Sequence, residues 1–141
     1  MNDKLNINEQ ICFPIYLLAK DIIALYKPLL NALNLTYPQY LVMLVLWENE
    51  TRTVNTIGKT LNLDSGTLTP LLKRLQQKEL VTRTRSVTDE RVVNISLTTK
   101  GAQLKNEAQC IPEQMMEAMN VSVEDLTTLK ELVIKILNSK K

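Results

Sequence analysis

The chain has 141 residues, of which 45% are hydrophobic, and it carries a formal net charge of +2. This length and apolar content predict a single folded domain over residues 1–141 and exclude a disordered chain, and no apolar run is long enough to span a membrane. With no histidine, three glycines and two cysteines, the chain lacks the commonest general base, a glycine-rich phosphate loop and a disulfide framework, so an enzyme, a metal site or a bound cofactor is not expected.

The first predicted element is a long helix over residues 7–33. No signal-peptide pattern precedes it, which indicates a soluble, cytoplasmic protein. Pro14 conflicts with an unbroken helix because proline lacks an N–H and crowds the preceding turn. The helix therefore either starts near Pro14 or is distorted there, and we favour a start near Ile7 with a local distortion. After a short break, Pro38 occupies the first turn of a second helix, which runs to Glu50 and is apolar enough to be central to the core.

Two short helices joined by a tight link follow this core helix. The first turns Val54 and Ile57 inward, and Asn62 and Leu63 leave room only for a sharp turn. The second helix, over residues 64–75, repeats leucine at positions i, i+3, i+4 and i+7, which forms one apolar face. This arrangement is typical of a helix-turn-helix.

The opposite face of the second short helix is polar and basic. Asp64 or Ser65 is predicted to cap its N-terminus, since a short side-chain oxygen there accepts an unpaired backbone N–H. Small hydroxyls that approach base edges and cations that meet phosphates are expected on a helix lying in a groove of duplex DNA. The residues of this helix predicted to contact DNA are Ser65, Thr67, Thr69, Lys73 and Arg74.

A basic hairpin is predicted after the second short helix. Residues 81–85 and 93–97 alternate with the period of two typical of half-buried strands, and a charged tip over 86–91 separates them. Residues 73–100 hold seven cations and three anions, a net +4, whereas the rest of the chain carries −2. Positive charge concentrated on a helix–hairpin unit, here residues 53–98, is typical of a winged helix that binds double-stranded DNA. The predicted DNA contacts of the hairpin are Arg83, Arg85 and Arg91, with Asp89 paired to Arg91 across the tip. The alternative interpretation is a helical domain with a solvated loop and surface cations.

Helices at both ends of the chain have apolar faces without an obvious partner. A helix over residues 99–119 is bent or interrupted by Pro112, and Ser122 opens a last helix with a wide apolar stripe. We therefore predict residues 7–33 and 99–138 to be dimerisation helices of a symmetric homodimer, which would match a palindromic operator. The predicted fold is mainly α with a small β-hairpin wing.

Three segments resemble the MarR family of winged-helix repressors and, within it, the OhrR-type branch that senses organic hydroperoxides. They are TYPQY at 36–40, LDSGTLTPLLKRL at 63–75 and DER at 89–91. The resemblance covers nearly the whole chain; the second segment is specific, whereas DER is shared by most MarR proteins. It implies a sensor cysteine near the start of the first helix, hydrogen-bonded by tyrosines, because phenol donors stabilise the reactive thiolate. The matching residues are Cys12, Tyr16, Tyr26 and Tyr37, and Cys110 lies in the helix that carries a second, disulfide-forming cysteine in some members.

The leading hypothesis is a dimeric repressor that releases its operator when an organic hydroperoxide oxidises Cys12. An alternative keeps the DNA-binding fold but makes a small aromatic ligand the inducer, with Cys12 not the sensor. A third hypothesis, a thiol peroxidase that uses Cys12 catalytically, leaves the basic hairpin unexplained. The corresponding non-functional interpretations are Cys12 as a small buried hydrophobe and Cys110 as an inert thiol.

Overall fold

The computed structural model describes residues 4–140, which are mainly helical with one small antiparallel sheet. The elements in chain order are α1 (Cys12–Asn31), α2 (Tyr37–Asn49), β1 (Thr51–Thr53), α3 (Val54–Leu61), α4 (Ser65–Gln77), β2 (Val81–Arg85), β3 (Val93–Leu97), α5 (Thr99–Ala108), α6 (Ile111–Met119) and α7 (Val123–Ser139). The predicted fold class is confirmed. The ends of the predicted domain, residues 1–3 and 141, lie outside the described residues.

The described residues form two compact units. Residues 26–109 make up the first of them, which we call the winged unit; the second, the terminal unit, comprises residues 4–25 and 110–140. Within the winged unit, Val42, Met43 and Leu46 of α2 are fully buried. The prediction that α2 is central to the core of this unit is therefore confirmed.

Helix α2 is fixed at both ends by local contacts. The Thr36 hydroxyl accepts a hydrogen bond from the Gln39 N–H (3.3 Å), and the Gln39 side-chain oxygen accepts one from the Thr36 N–H (3.0 Å). This reciprocal pair is a capping box, and Pro38 lies in the first turn as predicted. The helix ends at Asn49, one residue before the predicted end, because Glu50 has a φ of 41° and leaves the right-handed helical region.

The predicted helix-turn-helix is confirmed. Asn62 has a φ of 54°, and the Leu63 N–H donates to the Gly58 carbonyl (2.9 Å), which closes α3 with a left-handed turn. Asp64 caps α4, since its carboxylate accepts from the Thr67 N–H at 2.8 Å. The leucines of the predicted apolar face are all buried: Leu68, Leu71, Leu72 and Leu75.

The sheet contains the two predicted strands and a third that sequence analysis did not identify. Strands β2 and β3 have the predicted bounds, and they pair antiparallel, so that Val81 at the start of β2 lies opposite Leu97 at the end of β3. β3 is the central strand, because its other edge pairs with β1, where Thr51 lies opposite Ser96. β1 links the end of α2 to the start of α3, and it thereby joins the helix-turn-helix to the wing.

The first helix of the chain starts later than predicted. Residues Ile7–Glu9 form a single 3-10 turn capped by Asn6, and Gln10 is extended. Helix α1 begins at Cys12, so the favoured start near Ile7 was wrong and the alternative start near Pro14 was right. The first four N–H groups of a helix have no partner within it, and the missing N–H of Pro14 therefore costs little in the first turn.

The interruption predicted at Pro112 is confirmed. Helix α5 ends at Ala108, Cys110 precedes α6, and Pro112 occupies the first turn of α6. The Ser122 hydroxyl caps α7 by accepting a hydrogen bond from the Asp125 N–H at 3.1 Å. Helix α7, which lies entirely within the described residues, has no buried residue. None of the helices in this range is sufficiently long and apolar to traverse a membrane.

Candidate functional site

Helix α4 presents a polar face outward from the core of the winged unit. Ser65, Thr67, Lys73 and Arg74 are exposed, and Thr69 is half-buried. The hydrogen bond from the Thr67 backbone holds the pKa of the Asp64 carboxyl below its ordinary value, so Asp64 caps the helix as an anion at neutral pH. The face therefore offers hydroxyls near the N-terminus of the helix and cations further along it.

The tip of the wing is ordered by the predicted ion pair. The Arg91 guanidinium contacts Asp89 through Nε (3.2 Å) and Nη2 (3.5 Å), and the Arg91 N–H donates to the same carboxylate at 3.1 Å. The Arg91 side chain is 91% exposed. Arg85 donates to the Glu90 carbonyl at 3.1 Å, which ties strand β2 to the tip. These contacts hold two cations at the end of the hairpin without removing them from solvent.

A cavity of about 290 Å³ lies between the end of α4 and the wing. It is lined by Gln76, Arg83, Arg85 and Val93. Arg83 and Arg85 alternate along β2, so they share one face of the sheet. Sequence analysis missed Gln76, because it lies outside the leucine face and the basic residues that define the pattern of α4.

Two cations of the basic segment donate hydrogen bonds to other residues of the winged unit. The Lys78 ammonium donates to the Asn34 carbonyl (2.6 Å) and to the Gln39 side-chain oxygen (2.8 Å). The Lys100 ammonium donates to the Lys78 carbonyl at 3.1 Å. The charge count over residues 73–100 included both, although neither was among the predicted DNA contacts. The Thr-x-x-Gln spacing of Thr36 and Gln39 was the available sequence signal for this junction.

The predicted sensor residues Cys12 and Tyr16 lie in the terminal unit. Cys12 is the first residue of α1 and is exposed, and Tyr16 follows one turn later with 59% of its surface exposed. The Lys20 ammonium lies 5.3 Å from the centre of the Tyr16 ring. Cys110 is also exposed, and neither cysteine forms a disulfide. In the isolated chain, Cys12 is thus not packed as a small core hydrophobe.

The winged unit contains a cluster of three tyrosines. Ring centres are 4.7 Å apart for Tyr26 and Tyr37, 5.7 Å for Tyr26 and Tyr40, and 6.4 Å for Tyr37 and Tyr40. Burial, and then the neighbouring phenols, raise the pKa of Tyr26, while burial and then Tyr37 raise that of Tyr40. The Tyr26 and Tyr40 phenols therefore stay protonated at neutral pH and can act as hydrogen-bond donors. Tyr40 is 3% exposed and packs in the core.

The fold and the basic, hydroxyl-bearing surface define a winged-helix DNA-binding protein, and comparisons with known proteins agree. Residues 24–108 match the family model for the transcriptional regulator SarA/Rot. The chain is 49% identical to the organic hydroperoxide resistance transcriptional regulator of Bacillus subtilis, covering 97% of this chain and 93% of that protein.

Solved structures extend the comparison. AbfR of Staphylococcus epidermidis, reduced and bound to DNA, matches with a TM-score of 0.77 and 34% identity over 94% of this chain and 92% of that one. Disulfide-formed AbfR matches with a TM-score of 0.68 and 38% identity, covering 90% and 92%. A mutant of MarR from Escherichia coli in complex with operator DNA matches with a TM-score of 0.85 and 27% identity, covering 96% and 99%.

This chain belongs to the MarR family of winged-helix transcriptional regulators, in its OhrR-type branch. The resemblance noted in the sequence is thereby confirmed, and so is the prediction that the chain is a regulator of transcription and not an enzyme.

Proposed function

We propose that the chain is a homodimeric repressor that leaves a palindromic operator when an organic hydroperoxide oxidises Cys12. The observation that carries the proposal is the exposed thiol of Cys12 at the first position of α1. The exposed sulfur is accessible to a hydroperoxide, and the thiolate is the form of cysteine that attacks a peroxide. The names of the relatives support the same chemistry: the Bacillus protein is a regulator of organic hydroperoxide resistance, and AbfR has reduced and disulfide forms.

The chemical step needs only the thiolate and the hydroperoxide. The Cys12 sulfur attacks the terminal peroxide oxygen, the O–O bond breaks, and the departing alkoxide takes a proton to become an alcohol. Cys12 is oxidised by two electrons to a sulfenic acid, and the hydroperoxide is reduced. In the proposal, Tyr16, Tyr26 and Tyr37 are the phenol donors that stabilise the thiolate.

DNA contact is assigned to the exposed face of α4 and to the wing. Small hydroxyls at the start of α4 would approach base edges in the major groove, while cations on α4 and β2 would meet phosphates. Arg91 would enter the adjacent groove, held in orientation by Asp89. The proposed set is Ser65, Thr67, Thr69, Lys73, Arg74, Arg83, Arg85, Asp89 and Arg91.

Dimerisation is assigned to the terminal unit because of its exposed apolar surface. Ile11 is 83% exposed, and Ile136 and Leu137 of α7 are more than half exposed. Large apolar side chains exposed in such numbers are typical of an interaction site. A second copy is the occupant that suits a regulator of palindromic DNA, since a two-fold dimer presents two α4 helices to two half-sites.

The experiment is an operator titration with the Cys12→Ser variant. Reduced wild type and Cys12→Ser are expected to bind equally, and cumene hydroperoxide should release only the wild type. Release of Cys12→Ser by a small phenolic ligand, combined with no response of wild type to hydroperoxide, would favour the ligand-released alternative. Tyr26→Phe and Tyr37→Phe are expected to fold but to be oxidised more slowly.

Cys110 is the proposed partner of oxidised Cys12 in an intersubunit disulfide. A sulfenic acid condenses with a thiol and releases water, which leaves two sulfurs joined. Hydroperoxide treatment should then give a covalent dimer on a non-reducing gel. Cys110→Ser should abolish the dimer band and stop at the sulfenic acid or a mixed disulfide. A monomer band from fully oxidised wild type that has left its operator would eliminate the disulfide and leave a one-cysteine sensor.

A further inference from the structure

Lys78 occupies the C-terminal cap of α4, and its ammonium is hydrogen-bonded to other parts of the winged unit. Two acceptors on the junction between α1 and α2 hold it, the Asn34 carbonyl at 2.6 Å and the Gln39 side-chain oxygen at 2.8 Å. Burial, and then the nearby Arg74 charge, lower the pKa of Lys78. The ammonium thus has two of its three N–H donors committed to acceptors within the winged unit.

The junction that receives Lys78 is rigid. Gln39 is 2% exposed, and its side-chain oxygen also accepts the Thr36 N–H as half of the capping box. Asn34 has a φ of 55°, and the Leu35 N–H donates to the Leu30 carbonyl at 3.1 Å, which closes the end of α1. A displacement of this junction therefore cannot be absorbed locally and must move the Lys78 ammonium or break its bonds.

The same junction carries part of the tyrosine cluster. Tyr37 and Tyr40 flank Gln39 within the first turns of α2, and Tyr26 stacks against both. The start of α2 thus contacts Tyr26 of α1 through Tyr37 and Tyr40, and it contacts Lys78 at the end of α4 through Gln39. The end of α4 is further held by Lys100, which donates to the Lys78 carbonyl at 3.1 Å.

We propose that Lys78 is a positioning residue that couples the tyrosine cluster to α4 through Gln39 and Asn34. The inference deepens the proposed function and rests on it. Rearrangement of the cluster on oxidation shifts the start of α2, and Lys78 transmits that shift to the C-terminus of α4. Helix α4 is about 20 Å long at ~1.5 Å per residue, so a small tilt at its C-terminus displaces the hydroxyls at its N-terminus from the base edges.

The test measures operator affinity in the reduced and oxidised forms of each variant, by fluorescence anisotropy across a salt series. Lys78→Met keeps a side chain of similar length and removes the ammonium. Its ratio of reduced to oxidised affinity is expected to fall at least ~5-fold relative to wild type, within the range of ordinary allosteric coupling. Its salt dependence should match wild type. Lys78→Arg, which retains donors, should restore most of the ratio.

Lys73→Met is the matched control, because Lys73 is an exposed cation on the same helix. It should lower affinity equally in both redox states, leave the ratio unchanged and reduce the salt slope by about one. If Lys78→Met had the wild-type ratio of reduced to oxidised affinity, or a salt slope reduced like that of Lys73→Met, this inference would be overturned. The proposed function would be unaffected by either result. A wild type that keeps its operator after oxidation would remove both the inference and the proposed function.

Hydrogen exchange of the wild type keeps the inference testable if Lys78→Met does not fold. Oxidation is expected to accelerate exchange of the backbone amides of residues 34–39 and 76–80 together. If the operator were released while exchange over residues 76–80 stayed unchanged, the end of α4 would not transmit the effect of oxidation. That result would overturn the inference.

Discussion

The winged unit and the terminal unit differ in how much of their apolar side-chain surface is buried. Of the twelve largest fully buried side chains among the described residues, all but Ile111 belong to the winged unit. Helix α7 of the terminal unit, by contrast, has no buried residue in its described length. The winged unit thus holds nearly all of the buried core, whereas most large apolar side chains of the terminal unit are exposed, with Ile111 and Met115 as buried exceptions.

The difference separates two roles within one short chain. A self-sufficient core holds α4 and the wing in a fixed relation, which reading DNA requires. The terminal unit carries the Cys12 thiol and the surface that suits a second copy. If this division is correct, damage to the winged unit should appear as lost stability, and damage to the terminal unit should appear as lost self-association.

The largest expected effect on stability is that of Gly101→Ala in the winged unit. A Cβ at Gly101 would collide with the Leu80 carbonyl oxygen, which is held in place by the Thr98 N–H at 3.0 Å. The Gly101 carbonyl itself accepts a buried hydrogen bond from the indole Nε1–H of Trp47 at 2.9 Å. Overpacking against rigid backbone should cost about 3 kcal/mol, measured by urea unfolding.

Gly66→Ala is the matched control for that substitution. A Cβ at Gly66 would meet only the Asp64 carboxylate oxygen, at an ordinary 3.4 Å. Alanine is also a better helix former than glycine. Gly66→Ala should therefore cost no stability; equal stability of the two variants would show that the contact of Gly101 with Leu80 does not constrain the winged unit.

The next effect concerns self-association through α7. Ile136 is 59% exposed in the isolated chain. Ile136→Glu would place a charge in the proposed dimer interface and should weaken self-association about 100-fold, measured by sedimentation equilibrium. Thr128→Glu adds the same charge on the polar side of the helix and should remain a dimer. If Ile136→Glu had the same dimer dissociation constant as the wild type, Ile136 would not lie in the dimer interface.

The smallest of these effects concerns the tip of the wing, where side chains are exposed and packing contributes little. Arg91→Ala should weaken operator binding about 10-fold and reduce the slope of log affinity against log salt by about one. Asp89→Ala should reproduce part of this loss, since it frees the guanidinium from its 3.2 Å contact. Arg85→Ala should also weaken binding. Wild-type affinity of Arg91→Ala across the salt series would exclude the wing from the interface.

Elements set by local pattern were predictable from the sequence. The leucine spacing of α4, the cap at Asp64 and the alternation of β2 and β3 each involve residues within a few positions of one another, and the structure has them as predicted. The start of α1 was ambiguous, because Pro14 fits both a distorted helix interior and a first turn.

Features set by contacts distant in sequence were not predictable. Strand β1 has three residues, too few for a periodic signal, and it exists because Thr51 meets Ser96 across the sheet. Lys78 looked like one more cation of the basic segment, and only its contact with Asn34, 44 positions earlier in the chain, shows its direction. Charge composition thus identified the basic segment but not the hydrogen-bond partners of the individual cations within it.

The central claim, that oxidation of Cys12 releases the operator, is tested most directly by titrating the operator-bound wild type with cumene hydroperoxide. Anisotropy reports the bound fraction, and intact-mass and peptide mass spectrometry of the same samples report oxidation at Cys12. The account predicts that the bound fraction falls in proportion to the fraction of Cys12 oxidised, and that a thiol reductant restores both. Complete oxidation of Cys12 with the operator still bound would contradict it.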